Sequence, residues 1–159
     1  MRALLALALL AAAPPPAPNV APTAGTTFAG SADLHATIAA MARDLKPGQH
    51  FAWRPVLSNG ADVAALEYWT APGRPALHPT DAEYTIVMEG AGTLVLGGRL
   101  VDPTVTRPDL VEGSQIDGGT RIPLKPGDAM LIPANTPHWF GVDDGKLVLL
   151  GIKLPQAKR

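Results

Sequence analysis

The feature that most restricts the fold is a succession of short strand-forming segments with turn signals between them, which starts at Phe51 and continues nearly to the end of the chain. Asn59-Gly60 is a strong two-residue hairpin signal between segments 51–57 and 62–70. The 16 Gly and 17 Pro among 159 residues are also more typical of a turn-rich β protein than of a helix bundle. Regularly spaced short strands predict one all-β sandwich or barrel.

The same pattern predicts the remaining strands and turns. Further strands are expected at 84–88, 93–96, 121–124, 129–132, 138–142 and 146–153. Turns are expected at 89–92, at Gly97-Gly98, at Asp117-Gly118 and at Asp143-Asp144-Gly145, the last as a hairpin. Segment 101–115, which contains two prolines, is expected to be a loop with pieces of edge strand.

One helix precedes the strands. Ser31 is the predicted N-cap, and Asp33 suits the positive end of the helix dipole. Apolar residues at spacings of four, three and four form a single stripe, and Pro47-Gly48 ends the helix. The stripe consists of Leu34, Ile38, Met41 and Leu45.

The N-terminal segment predicts export. Arg2 is followed by the apolar run 3–13, which is the layout of a secretory signal and is too short for a bilayer span of roughly 20 residues. We therefore expect a signal peptide and cleavage region at 1–24, a linker and helix at 25–48, and a β-barrel domain at 49–155. The expected location is the periplasm or the exterior.

Charge and cysteine content exclude several classes of function. A net charge of -1 lacks the basic surface of a nucleic-acid-binding protein, and no basic run indicates a membrane-surface patch. The absence of Cys excludes disulfides, thiol nucleophiles and thiolate-bound metals. Chemistry must therefore come from the four His, the carboxylates, the hydroxyls, or a ligand that they hold.

His78, Glu83 and His138 are the cluster predicted to converge. Glu83 shares one face of its strand with Thr85 because side chains alternate along a strand, and His138 shares a face with Phe140. If these faces line one interior, two imidazoles and a carboxylate meet in an apolar cavity. That ligand set suits non-haem iron, and it also suits Mn, Ni, Co or Zn. The alternative is a cavity that has no metal and binds an organic molecule, or nothing.

Two segments resemble the motifs of the cupin superfamily. His78-Pro-Thr-Asp-Ala-Glu83, with Gly90 seven residues after the Glu, is similar to the first cupin motif, and 127–138, from Gly127 through Pro133 to His138, is similar to the second. The resemblance implies a double-stranded β-helix barrel and assigns metal-ligand roles to His78, Glu83 and His138.

The chain departs from the cupin pattern at three positions. Ala76 stands where the first motif has its first His, Asn135 stands at the usual Gly, and Val142 stands at the final Asn. Asn tolerates a positive φ, so the turn at Asn135 can form. The missing imidazole at Ala76 leaves three ligands and a more open coordination position.

These residues support two classes of function. The first is a small metal-dependent enzyme, of dioxygenase, isomerase or lyase type, that acts on a small organic molecule. The second is a non-catalytic periplasmic barrel that binds a small molecule without metal. The predicted pocket residues are Ala76, Thr85, Trp69 and Phe140. A homodimer that pairs through Tyr84, Ile86 and Met88 is also expected, although packing against the helix explains the same apolar residues.

Export can be tested on protein recovered from a bacterial host that recognises its signal. The mature chain should lack the apolar run 3–13, because signal peptidase removes it with the positively charged segment before it. N-terminal sequencing of the periplasmic fraction measures this. A chain that still begins at Met1 and remains in the cytoplasm would contradict the prediction.

Overall fold

The structure is a computed structural model that describes residues 26–156. The predicted signal peptide lies outside these residues. One helix, α1, spans Ser31–Asp44. The strands are β1 Phe51–Asn59, β2 Asp62–Trp69, β3 Ala76–Leu77, β4 Asp81–Leu96, β5 Arg99–Val101, β6 Thr104–Arg107, β7 Leu110–Glu112, β8 Gln115–Asp117, β9 Thr120–Leu124, β10 Ala129–Ile132 and β11 His138–Pro155. The all-β class with one N-terminal helix is confirmed.

Helix α1 begins one residue earlier than the sequence predicts. Gly30 is the N-cap, so the prediction of Ser31 at that position is wrong. The backbone N–H of Gly30 donates to the Asp33 carboxylate at 3.3 Å, which satisfies a donor at the helix start without a capping hydroxyl. The predicted apolar stripe is confirmed, because Ile38 and Met41 are buried and Leu34 and Leu45 pack beside them.

Strands β1 and β2 form the predicted hairpin. They pair antiparallel from Phe51 opposite Trp69 to Asn59 opposite Asp62, so Gly60 and Ala61 make the turn. Segment 101–115 also agrees with the prediction, because it holds the short edge strands β6 and β7 and parts of β5 and β8.

Two predicted turns are instead parts of two long strands. Segment 89–92 lies inside the 16-residue β4, and Asp143-Asp144-Gly145 lies inside the 18-residue β11. The two strands pair antiparallel along their length except at 143–146, and the register shifts between Val142 and Leu147 and again between Val148 and Leu149. The turn residues therefore form a bulge at which both strands bend, rather than hairpins that reverse the chain.

The bend divides the strands between two facing sheets. The first, which we call the helix-side sheet, contains β1, β2, the C-terminal half of β11, the N-terminal half of β4, and β10. The second, the opposite sheet, contains β6, β7, β3, the N-terminal half of β11, the C-terminal half of β4, and β9. Because β4 and β11 run through both sheets, they close the barrel along one side.

Apolar side chains fill two separate cores. Inside the barrel, Val87, Leu147 and Leu149 of the helix-side sheet face Leu94 and Leu124 of the opposite sheet. The second core lies between α1 and the outer face of the helix-side sheet, where the helix stripe packs on Leu66, Tyr68 and Val148. Met88 also packs in this second core, so the helix accounts for one of the three residues that suggested a dimer.

Among residues 26–156, no helix is both long enough and apolar enough to cross a membrane.

Substitution of Gly90 tests how much the bend contributes to stability, because two separate effects require glycine at this position. Its φ is +79°, and a Cβ would lie 2.0 Å from the carbonyl oxygen of Lys146 on β11. Gly97 provides a matched control, since its φ is +80° but no atom lies within 4 Å of the place that a Cβ would occupy. Gly97→Ala should lower the free energy of unfolding by about 1–2 kcal/mol, the cost of a left-handed L-residue.

Gly90→Ala should cost about 1–3 kcal/mol more than Gly97→Ala, because the methyl group must push β4 and β11 apart. Urea denaturation of both variants and the parent measures the difference. Equal losses in the two variants would show that the close approach of the strands at Gly90 does not stabilise the barrel.

Candidate metal centre

The side chains of His78, Glu83 and His138 converge at one end of the barrel. All three are buried, with 7%, 3% and 5% of their surface exposed. One ligand atom from each lies within 4.8 Å of the other two. The Nε2 atoms of His138 and His78 lie 3.3 and 3.6 Å from Oε2 of Glu83. The structure therefore brings together the three residues that the sequence selected.

Both sheets contribute to this cluster. Glu83 lies near the start of β4 in the helix-side sheet, whereas His138 begins β11 in the opposite sheet. His78 directly follows β3, whose Ala76 pairs with His138. Glu83, Thr85 and Val87 are all buried, as expected for one inward face. The cluster thus depends on the closure of the barrel.

Backbone carbonyls determine the tautomer of both imidazoles. Nδ1 of His78 lies 2.8 Å from the carbonyl oxygen of Asp109, and Nδ1 of His138 lies 3.0 Å from that of Thr136. A carbonyl oxygen can only accept, so each Nδ1 carries the proton and donates it. The Nε2 atom of each ring then faces the cluster, so an imidazole in this tautomer can offer its Nε2 lone pair to a metal ion, which is the arrangement of metal-binding histidines.

The Asn135 turn supports His78. Asn135 has a φ of +58°, so it adopts the left-handed conformation that its position in the motif requires. Its backbone N–H donates to the carbonyl oxygen of His78 at 2.7 Å. The substitution of Asn for the usual Gly is therefore accommodated, and the turn before β11 holds both imidazoles in place.

The donor set fits a divalent cation. Oε1 of Glu83 accepts a long hydrogen bond of 3.4 Å from the Thr85 hydroxyl, whereas the buried Oε2 faces the two imidazoles. The two Nε2 atoms and a carboxylate oxygen thus converge on one point, where a cation would balance the buried negative charge of Glu83. Two imidazoles and one carboxylate match the preference of Fe, Mn, Ni or Zn.

Lys153 is a fourth member of the centre, which the sequence motifs do not predict. It lies opposite Glu83 in the register of β11 with β4, and its Nζ is 2.5 Å from Oε2. Burial alone would raise the pKa of Glu83, but His138 and the Lys153 ammonium outweigh it and hold that pKa below its usual value. Burial, followed by the charge of Lys153, lowers the pKa of His78, which keeps its imidazole neutral.

Glu67 is a second, half-buried carboxyl group near the centre. It lies on β2 and accepts a hydrogen bond of 3.2 Å from the indole N–H of Trp69. Burial, followed by the negative charge of Glu83, raises the pKa of Glu67 to about 6. Its proton therefore exchanges close to neutral pH, which is the range useful for general acid–base chemistry. No sequence motif marks Glu67. It lies near the centre because β2 pairs with β11, where Glu67 is opposite Leu149.

A cavity of about 190 Å³ adjoins Glu83 on the side of the helix-side sheet. Glu67, Glu83 and Lys153 provide its charged groups, and the indole of Trp53, which is 53% exposed, forms part of the wall. The remaining lining residues are Ala61, Val63, Ala65, Gly151 and Ile152. An apolar wall with a few convergent polar groups is typical of a small-molecule site.

The four predicted pocket residues lie elsewhere around the centre. Trp69 and Phe140 pack against the core inside the barrel, and Thr85 is fully buried beside Glu83. Ala76 is half-buried and pairs with His138. None of the four lines the 190 Å³ cavity, so their role as pocket residues stays a prediction.

Comparison with known proteins shows the fold. No protein-family model matches the chain, and no curated protein sequence does either. Hydroquinone 1,2-dioxygenase PnpCD, solved with Cd²⁺ and 4-hydroxybenzonitrile, is 22% identical, with a TM-score of 0.55 over 83% of this chain and 82% of that one. A cupin-2 domain protein from Rhodospirillum rubrum is 13% identical, with a TM-score of 0.50 over 69% of this chain and 63% of that one. The chain has the cupin fold.

Removal of one imidazole tests the ligand set. His138→Ala should lower the affinity for divalent metal by more than about tenfold to a hundredfold, because a ligand is lost whose supporting contacts alone are worth that much. His50→Ala is the matched control, since its imidazole contacts the Thr70 hydroxyl at the surface. Metal content after dialysis, measured on protein without a His tag, distinguishes the two variants. Equal metal loss in both would contradict the assignment.

Proposed function

We propose that this cupin-fold protein is a metal-dependent enzyme that acts on a small organic molecule in the barrel cavity. The observation that carries the proposal is the orientation of the donors: Nε2 of His78, Nε2 of His138 and Oε2 of Glu83 converge on one point. The adjoining cavity supports it, because a ligand in that cavity contacts Glu83 directly.

Different residues of the chain would have different roles in such a site. His78, Glu83 and His138 would hold the ion, and the carbonyls of Asp109 and Thr136 orient the two rings. When bound, a divalent ion supplies Lewis-acid polarisation of a ligand oxygen and, if it is iron, redox chemistry. Trp53 provides a flat surface in the cavity wall for an apolar or planar ligand.

Glu67 is the proposed proton-transfer group. Its carboxyl lines the same cavity as Glu83 and has a pKa raised to about 6, so it can both donate and accept a proton near neutral pH. Dioxygenase, isomerase and lyase chemistry all belong to the proposal, because each combines a polarised ligand oxygen with proton movement or an open redox site.

A second candidate is a non-catalytic barrel that binds a small molecule without metal. The Lys153 ammonium favours it, since this cation already balances the charge of Glu83. Ala76 favours it too, because it provides no ligand atom at a position paired with His138. This function would be favoured over the enzyme proposal if the protein takes up no divalent metal.

Cobalt(II) substitution tests whether the site is open. A three-ligand centre should bind Co²⁺, and its visible spectrum should change when azide is added, since azide enters an open coordination position. A closed structural site would leave the spectrum unchanged. Absence of any Co²⁺ uptake would contradict the enzyme proposal and favour the metal-free barrel.

Ala76→His tests where the open coordination position lies. Ala76 pairs with His138, and paired residues on neighbouring strands project to the same side of the sheet. A new imidazole there should tighten Co²⁺ binding and weaken the response to azide, because it fills the open position. Ala76→Phe is the control, since it adds a ring without a ligand atom. If both variants behave alike, Ala76 does not border the open position.

A further inference from the structure

Lys153 approaches the same atom that the metal site requires. Its Nζ lies 2.5 Å from Oε2 of Glu83, and the Nε2 atoms of His138 and His78 lie 3.3 and 3.6 Å from that oxygen. Oε1, by contrast, faces the Thr85 hydroxyl. The ammonium is therefore positioned at the oxygen that completes the ligand set, rather than at the far side of the carboxylate.

The fold holds Lys153 at this position but leaves its side chain room to move. Lys153 pairs directly with Glu83 in the β4–β11 register, so the backbone places the two side chains on the same side of the sheet. The Lys153 side chain is 39% exposed and lines the cavity, whereas the Glu83 side chain is only 4% exposed. The cation can therefore leave Glu83 by rotating into the cavity.

We propose that Lys153 is an internal cation that competes with the divalent ion for Glu83, so that metal binding requires the ammonium to turn out into the cavity. The inference rests on the proposed function and adds a residue that regulates metal binding at the same centre. An ammonium has no lone pair to offer a metal, and its charge repels a divalent ion at the same oxygen.

The cavity already contains a second carboxylate that can receive the displaced ammonium. Glu67 lines the cavity together with Lys153, and it lies on β2, the neighbour of β11 on the side away from β4. Glu67 is opposite Leu149, four residues before Lys153 on β11, so a Lys153 side chain that turns into the cavity moves away from Glu83 and into the space that Glu67 also lines. Burial of an unpaired carboxylate is unfavourable, and in the metal-bound state the ion would balance Glu83 while the ammonium lies in a cavity that contains a second carboxylate.

The test compares Lys153→Met with Lys146→Met in untagged protein freed of metal. Lys146 also pairs with a glutamate, Glu89, but this pair lies at the bulge and not at the metal centre. Titration calorimetry with Zn²⁺ should show affinity roughly tenfold to a hundredfold higher for Lys153→Met than for the parent, a typical coupling between competing ligands. Lys146→Met should bind Zn²⁺ as the parent does.

Two further measurements keep the result interpretable. The metal-free Lys153→Met protein should melt at a lower temperature than the parent, because Glu83 has lost its cation, and Zn²⁺ should raise that temperature more than in the parent. Lys153→Arg retains a cation and should retain the weaker affinity for Zn²⁺. If Lys153→Met does not fold, Lys153→Gln removes the charge with a polar chain of similar reach.

The outcomes separate this inference from the proposed function. Equal or weaker Zn²⁺ binding by folded Lys153→Met, with Zn²⁺ still bound by the parent, would overturn the competition and leave the metal centre intact. Failure of both the parent and Lys153→Met to bind Zn²⁺ would overturn the metal centre as well. Zn²⁺ binding by Lys153→Met alone would be the strongest support, since Lys153 would then exclude the ion from the parent.

Discussion

The antiparallel pairing of β4 with β11 is the constraint on which the other features depend. The two strands remain paired from Asp81 opposite Pro155 to Leu96 opposite His138, and they bend together at the Gly90 bulge. The bend divides them between two facing sheets and so creates the interior. The same register places Lys153 opposite Glu83 and brings the start of β11 next to β3. The barrel and its site therefore have a common origin.

The chemistry of the centre depends on which positive charge balances Glu83. The carboxylate is buried, and the Nε2 atoms of two imidazoles converge with its Oε2. Such an arrangement is stable only when a cation lies within it. The chain provides one cation of its own in Lys153, and the ligand set is suited to a divalent metal. Both the enzyme proposal and the metal-free alternative follow from this single requirement.

Local sequence patterns predicted most elements but confused a bulge with a turn. The helix stripe, the β1–β2 hairpin and the edge strands near 101–115 all have patterns that neighbouring residues complete. The glycines at 89–92 and the Asp143-Asp144-Gly145 segment have the composition of turns, yet both lie in continuous strands. A bulge and a hairpin need the same left-handed backbone, so composition alone does not distinguish them.

The sequence by itself determined which residues could form the centre. Motif spacing and side-chain alternation selected His78, Glu83 and His138, because ligand chemistry and strand parity are properties of short segments. Only the tertiary structure decided that Lys153 and Glu67 join them, since β2, β4 and β11 become neighbours through long-range pairing. The burial that raises the pKa of Glu67 and encloses the carboxylate of Glu83 likewise exists only after the two sheets close. Strand register depends on contacts between distant segments, and no local pattern contains that information.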